Sequence, residues 1–225
     1  MSAPLLSVRA PERPRAAVLM LHGGREADLG PSRPWHLAAL RLRPFERAIT
    51  AELPREDVLL ARVRYRVRGW NGERADPVRD TLAALDELTA LAGPLPTVLV
   101  GHSMGARAAL HAAGHPQVYG LLALAPWWPR TEPTRQLTGR HVVVLHGTSD
   151  RVTSAPEAAV CVRRARGTAA GAAMALIRDG DHAMLRRAHV WHRTAAAVVA
   201  HLVDPEEHGD PLPPESSTAA GVPVL

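Results

Sequence analysis

Lysine is absent from this chain of 225 residues, so its 27 basic residues are all arginine. The arginines are scattered, apart from pairs such as Arg163-Arg164 and Arg186-Arg187 on predicted helices, and they are not interleaved with aromatic residues. A nucleic-acid surface would instead cluster basic residues on one face. Although the net charge is +5, we therefore predict no nucleic-acid partner.

Cysteine and long apolar runs are also scarce. The single cysteine, Cys161, excludes an internal disulfide, so the fold does not require an oxidising compartment. Charged residues or prolines interrupt every apolar run well short of the roughly 20 residues of a transmembrane helix. The stretch from Met1 to Arg15 lacks the continuous apolar segment of a secretory signal. We expect a cytoplasmic protein with no membrane partner.

The usual cofactor signatures are missing as well. No group of His, Cys and Asp residues has the spacing of metal ligands, no Gly-x-Gly-x-x-Gly follows the first buried strand, and no P-loop is present. We therefore expect neither a metal nor a nucleotide cofactor.

One motif stands out among what is present. Residues Gly101 to Gly105 read Gly-His-Ser-Met-Gly, between a β-branched run at 96–100 and an alanine-rich, helix-favouring run at 104–113. A serine at such a strand-to-helix turn is strained and exposed, and the flanking glycines let strand and helix approach each other. The N-terminus of the helix also directs free N–H groups toward a developing oxyanion. A chance match in a loop is the alternative, but this placement favours Ser103 as a nucleophile.

Apolar strands alternate with amphipathic helices along the chain. Strands are predicted at 5–9, 16–21, 57–65, 96–100, 118–124, 141–147 and 172–177. Helices are predicted at 35–53, 77–92 with Asp76 as N-cap, 104–113, 155–166 and 190–203. This alternation specifies an α/β fold with a mainly parallel central sheet covered by helices on both faces. We assign residues 1–204 to one domain and expect 205–225, rich in Pro, Glu and Ser, to be mostly disordered.

The order of the candidate catalytic residues completes a resemblance. Functional groups of a parallel sheet gather at the C-terminal ends of its strands, and Ser103, Asp150 and His182 each follow a predicted strand in that order. With the motif around Ser103, this order resembles the α/β-hydrolase fold family over about Val18 to Val203. The resemblance implies that Ser103 is the nucleophile, that His182 is the general base and that Asp150 orients the imidazole.

The resemblance also implies an oxyanion hole, and it leaves alternatives for the second oxyanion donor and for the catalytic acid. The N–H of Met104 would act with that of Gly24, or with that of its neighbour Arg25. Asp181 competes with Asp150 as the acid, but adjacent side chains in a loop seldom align as carboxylate and imidazole. Other histidines at strand ends or in the motif, which we interpret as packing or supporting residues, are His22, His102 and His146.

The segment after the strand at 118–124 bears on the substrate. Trp127 and Trp128 are candidates to line the substrate pocket, as is Arg25, although one tryptophan is expected in the core. Only about a dozen residues, Pro129 to Arg140, then lead to the next strand, too few for a cap domain. The chain is thus similar to small lidless esterases and dienelactone-hydrolase-like members, although the latter use a cysteine nucleophile.

Together these features predict a metal-free serine hydrolase that cleaves a small ester or thioester through an acyl-enzyme. Two alternatives stay open. An acyltransferase or cyclase of small-molecule biosynthesis would use the same acyl-enzyme while excluding water, and a catalytically silent binding module would keep the fold alone.

Overall fold

The structure, a computed structural model, describes residues 5–53, 57–213 and 222–225. The strands are β1 (Leu5–Arg9), β2 (Ala16–Leu21), β3 (Val58–Val63), β4 (Thr97–His102), β5 (Val118–Leu124), β6 (His141–Gly147) and β7 (Gly171–Ile177). The helices are α1 (Leu37–Leu40), α2 (Arg43–Glu52), α3 (Asp76–Ala92), α4 (Met104–Ala112), α5 (Ala155–Ala165) and α6 (Ala188–Val203).

The seven strands form one sheet in the order β1-β3-β2-β4-β5-β6-β7. β1 pairs with β3 antiparallel, and the other neighbours pair in parallel. The predicted mainly parallel sheet is confirmed. Because parallel strands point the same way, the C-terminal ends of β2, β4, β6 and β7 meet at one edge of the sheet, where ligand sites of such folds lie.

Helices cover both faces of the sheet. Along β2, Ala17, Leu19 and Leu21 pack on the face covered by α3, α4 and α5. Val18 and Met20 pack on the face covered by α2 and α6. Successive residues of a strand point to opposite faces, so a strand buried on both sides must be apolar throughout, as β2 is.

The helix predicted at 35–53 is two helices. Pro44 lies in the first turn of α2, where its missing N–H costs no hydrogen bond, whereas inside a longer helix it would break one. Only α2 of the pair contributes to the core, through residues such as Phe45 and Ile49. The separation leaves α1 and the loop before it over the carboxyl ends of β2 and β3.

The prediction that Asp76 is the N-cap of α3 is wrong. Asp76 is the first helical residue, and Ala75 before it has a left-handed φ of 43° without a side-chain cap. The Asp76 carboxylate instead accepts hydrogen bonds from Asn71 Nδ2 at 2.9 Å and Arg74 Nε at 3.0 Å. The Asp76 carboxylate therefore stabilises the loop before α3 by accepting hydrogen bonds from its side chains.

The segment predicted to be disordered, 205–225, lies partly outside the described residues, at 214–221. Its last four residues are described, and they lie along the outer edge of β7. Leu176 N donates to Pro223 O at 2.8 Å, and Leu225 N donates to Leu176 O at 2.7 Å. These backbone bonds satisfy part of an otherwise open strand edge.

The link between β5 and β6 contains a single short 3-10 turn, Arg135–Leu137, and no cap domain. The edge that carries Ser103 is therefore not covered by an inserted helical domain. Among the helices in the described ranges, none is long and apolar enough to cross a membrane.

Candidate active site

Ser103 lies at the turn between β4 and α4. Its φ of 54° and ψ of −116° belong to a region that non-glycine residues rarely adopt. A Cβ on Gly105 would lie 2.2 Å from Leu21 O, and one on Gly101 would lie 2.5 Å from Ala106 Cα. Only glycine therefore permits the close approach of β2, β4 and α4 that sets the turn.

Backbone hydrogen bonds hold this strained turn from both sides. Ser103 N donates to Leu124 O at 3.0 Å, which extends the pairing of β4 with β5. Ser103 O accepts from Trp127 N at 3.2 Å, from Ala106 N at 3.1 Å and from Arg107 N at 3.2 Å. Strain at such a residue costs about 1–3 kcal/mol and persists only where surrounding contacts fix it.

The structure brings Ser103, His182 and Asp150 together. Ser103 Oγ lies 3.1 Å from His182 Nε2, and His182 Nδ1 lies 2.9 Å from Asp150 Oδ2. The three residues come from loops after β4, β7 and β6, and the Asp150 side chain is fully buried whereas that of His182 is 16% exposed. One face of the imidazole can therefore meet a ligand while its other nitrogen is shielded from water.

Asp150 is held as a carboxylate. Its Oδ1 accepts hydrogen bonds from Val152 N at 2.8 Å and Thr153 N at 3.0 Å, and its Oδ2 accepts one from Thr153 Oγ1 at 2.9 Å. Burial alone would raise the pKa of Asp150, but the bonds from His182 and the two backbone N–H groups outweigh it and hold that pKa well below its usual range. The carboxylate can thus fix the tautomer of His182 with Nδ1 protonated.

Thr153 is a residue of the site that the sequence interpretation missed. Besides Asp150, its hydroxyl lies 3.3 Å from His182 Nδ1, 3.3 Å from His146 Nε2 and 3.3 Å from Ala125 O. The signal that could have found it is local, since an Asp whose carboxylate binds the N–H groups two and three residues later is a common turn motif.

Asp181 faces away from the imidazole. Its Oδ1 accepts hydrogen bonds from Leu185 N and Arg186 N, both at 2.9 Å. The carboxylate therefore stabilises the loop after His182. No hydrogen bond between the side chains of Asp181 and His182 occurs among the described residues, so the geometry favours Asp150 as the partner of the imidazole.

Three other histidines surround the site in neutral form. Burial, and then the charge of the nearby His182, lowers the pKa of His102 to about 3, and burial also lowers the pKa values of His22 and His146. His102 Nε2 lies 3.0 Å from His182 O, so this imidazole supports the loop that carries His182. Within the described ranges, only His182 is hydrogen-bonded to the Ser103 hydroxyl.

The two predicted oxyanion-hole donors, the backbone N–H groups of Met104 and Gly24, have no acceptor within the described residues. A Cβ on Gly24 would lie 2.4 Å from Met104 Cε, so the two residues are in direct contact. The third candidate, Arg25, uses its N–H to donate to Arg68 O at 3.0 Å. The N–H of Arg25 is thus occupied, whereas those of Met104 and Gly24 are free to donate.

The two tryptophans after β5 have different environments. Trp128 is 2% exposed and donates from Nε1 to Ala106 O at 3.0 Å, so it is a core residue and does not line a pocket. Trp127 is only partly buried, and its backbone N–H binds Ser103 O. Arg25, the other pocket candidate, has a 69% exposed side chain that pairs with Asp28 at 3.4 Å.

A stacked cation fixes the ring of Trp127. The Arg107 guanidinium lies 4.4 Å from the ring centroid of Trp127 and 4.2 Å from that of Trp70. Arg107 Nε also donates to Glu132 Oε1 at 2.6 Å, and His111 Nε2 lies 2.5 Å from Glu132 Oε2. Cation–π contacts and a largely buried ion pair together hold the ring of Trp127 in a fixed position.

A family model described as an alpha/beta hydrolase domain matches residues 45–205. No curated protein has a significant sequence match to the chain.

Solved structures share the fold at low sequence identity. A putative alpha/beta hydrolase of unknown function from Agrobacterium tumefaciens has a TM-score of 0.69 and 14% identity, covering 90% of this chain and 92% of its own. A serine hydrolase without a lid from Xanthomonas campestris has a TM-score of 0.63 and 14% identity, covering 88% and 87%. The esterase domain of a Rhodothermus marinus protein has a TM-score of 0.59 and 18% identity, covering 89% of each chain.

Proposed function

This chain belongs to the alpha/beta-hydrolase family, and we propose that it is a serine hydrolase that cleaves a small ester or thioester through an acyl-enzyme. The observation that carries the proposal is the continuous set of hydrogen bonds from Ser103 Oγ to His182 Nε2, at 3.1 Å, and from His182 Nδ1 to Asp150 Oδ2, at 2.9 Å. These distances are those at which a histidine can take the proton of a serine hydroxyl.

In the first half of the reaction, Ser103 Oγ attacks the carbonyl carbon of the substrate while His182 Nε2 accepts the hydroxyl proton. Asp150 stabilises the imidazolium that forms and keeps Nδ1 protonated throughout. The same imidazolium then donates its Nε2 proton to the leaving oxygen or sulfur. In the second half, water attacks the acyl-enzyme, with His182 taking and returning a proton in the same way.

The negative charge of the tetrahedral intermediate requires fixed donors. The N–H groups of Met104 and Gly24 suit this role because they have no other acceptor within the described residues and because their residues touch. Met104 is also the first residue of α4, so the positive end of the helix dipole adds to the stabilisation. Such donors act on charge that develops only in the transition state and so raise kcat.

The open edge of the sheet favours small acyl groups. Trp127 supplies an apolar wall, but no inserted domain covers the site between β5 and β6. Methylenes of a longer neutral chain would stay in water and add none of the roughly 25 cal/mol per Å² that buried apolar surface contributes. We therefore predict that kcat/KM for neutral esters is highest for short acyl groups and shows no rise when the substrate forms micelles.

Chromogenic esters of increasing acyl length, assayed with and without a competing alcohol, test the proposal. Hydrolysis that is highest for short chains and is lost in Ser103→Ala supports it. A steep rise toward long chains would contradict the predicted substrate size. Products that appear only on the alcohol would favour the acyltransferase alternative, and no turnover with any ester would favour a binding module.

A further inference from the structure

A cavity lies near the candidate active site. It has a volume of about 690 Å³ and lies beyond the carboxyl ends of β2 and β3. Its walls come from the loop at 31–34, from Ala39 of α1, from Ala83 of α3, and from His22 and Tyr65 after the two strands. Neither Ser103 nor its two partners line it, so the site described above leaves this cavity unexplained.

Arginines dominate the charge of this cavity. Five line it, namely Arg33, Arg43, Arg62, Arg64 and Arg66, against one acidic residue, Asp80. Two are neutralised by neighbours, since Arg62 pairs with Glu46 and Arg66 Nε lies 2.5 Å from Asp80 Oδ1.

Arg33 and Arg43 differ from these two. No ion pair in the described part of the chain involves either residue, so their positive charges are not balanced by a carboxylate. Arg33 stacks instead on the ring of Trp35, 5.8 Å from its centroid. The lining of the cavity also includes apolar residues such as Val63.

The cavity is within reach of Ser103. β2 lies between β3 and β4 in the sheet, and neighbouring strands lie about 4.8 Å apart, so the end of β3 is about 10 Å from the end of β4. His22 lies between the two sites, because it lines the cavity while its carbonyl oxygen lies against Gly105 of the strand-to-helix turn. A separation of about 10 Å is one that an extended ligand can span.

We infer that this cavity binds an anionic end of the substrate, a carboxylate or phosphate carried on an apolar spacer of about 10 Å, while Ser103 cleaves the ester at the other end. The inference rests on the proposed function and specifies its substrate class. Guanidinium groups suit both anions because they bind paired oxygens in a bidentate manner. A neutral tail would desolvate Arg33 and Arg43 without pairing them, so the preference for short neutral esters still holds.

Matched substrates measure this preference directly. We would compare 4-nitrophenyl esters of octanedioic acid with a free terminal carboxylate, the same esters capped as methyl esters, and analogues with a terminal phosphate. We expect kcat/KM to be at least about 10-fold higher for one or both charged esters, as expected for a charge-assisted hydrogen bond. The two charged arms distinguish a carboxylate from a phosphate ligand.

Arginine variants link the preference to the cavity. Arg33→Met and Arg43→Met should each reduce kcat/KM for the charged ester by roughly 10-fold without lowering kcat/KM for the methyl-capped ester. Arg47→Met is the matched control, because Arg47 is an exposed arginine on the same helix as Arg43 but does not line the cavity. Ala39→Phe, which narrows the cavity, should reduce the preference without changing charge, and thermal unfolding would verify that each variant is folded.

Several results would overturn the inference. They are equal rates for charged and capped esters in the unaltered protein, equal losses in Arg43→Met and Arg47→Met, or a preference that is undiminished in Ala39→Phe. Failure of the proposed function can be distinguished from failure of this inference. If no ester reacts, the inference is tested by calorimetry of Ser103→Ala with octanedioate and with inorganic phosphate. Binding of either anion that is lost when Arg43 is replaced supports an anion site in the cavity. Absence of binding to both anions contradicts the inference.

Discussion

Replacing Asp150 by Asn tests the orientation of the imidazole. An asparagine can keep its Oδ1 on Val152 N and Thr153 N, now 2.8 and 3.0 Å away, and so preserve the loop. Its Nδ2 then replaces the carboxylate oxygen that lies 2.9 Å from His182 Nδ1. Because the Nδ2 group can only donate, it requires His182 Nδ1 to be an acceptor, and the proton of the neutral imidazole then lies on Nε2. A protonated Nε2 can no longer accept the proton of the Ser103 hydroxyl.

The magnitude follows from the loss of the reactive tautomer. Comparable replacements in serine hydrolases lower kcat by about 10⁴, which corresponds to about 5.5 kcal/mol of transition-state stabilisation. We expect Asp150→Asn to show this loss on a short-chain chromogenic ester, with a KM and an unfolding midpoint close to those of the unaltered protein.

Asp181→Asn is the matched control. Its Oδ1 accepts only backbone N–H groups in the following loop, and an asparagine oxygen can accept the same bonds, so the expected change in kcat is less than about 10-fold. A larger loss in Asp181→Asn than in Asp150→Asn would refute the assignment of the acid. Equal losses accompanied by unfolding would show that both residues act only on the loops.

Three further predictions concern stability. Gly105→Ala places a Cβ 2.2 Å from Leu21 O and should destabilise the protein by about 3 kcal/mol or more in urea unfolding, whereas Gly114→Ala, with its nearest contact at 3.5 Å, should change little. Arg107→Met removes a largely buried charge partner and both ring stacks, so it should lower the free energy of unfolding by about 3 kcal/mol and raise KM for short esters. Burial lowers the pKa of His102 from 6.5 to about 3, so between these pH values the unfolded chain binds a proton that the folded protein does not bind. The free energy of unfolding should therefore fall as the pH is lowered through this range, by up to about 1.4 kcal/mol per pH unit. The fall should be smaller in His102→Asn.

Strands and the turn at Ser103 could be predicted because local sequence determines them. β5 and β6 have the predicted bounds, since strands buried on both faces are continuous apolar runs bounded by polar or turn residues. The bounds of α2 were less accessible. Its separation from α1 depends on where Pro44 falls in a turn, and the apolar periodicity does not change there.

Some features of the candidate site could likewise be predicted from the sequence, and others could not. Ser103, Asp150 and His182 could be placed near one another because each follows a parallel strand, and such strand ends meet at one edge. The stacking of Arg107 between Trp70 and Trp127 could not be predicted, because it joins elements far apart in sequence and has no local pattern. The cavity beside β3 depends on the packing of α1, α2 and α3 around the sheet, which the sequence pattern also does not specify.

Reaction of Ser103 with a fluorophosphonate probe tests the central claim most directly, because the probe modifies only a serine whose hydroxyl is activated. The account predicts one adduct in the native protein, located by mass spectrometry on the peptide that contains Ser103, with no adduct in Ser103→Ala and strongly slowed labelling in Asp150→Asn. An unlabelled native protein, or labelling that persists in Ser103→Ala, would contradict it.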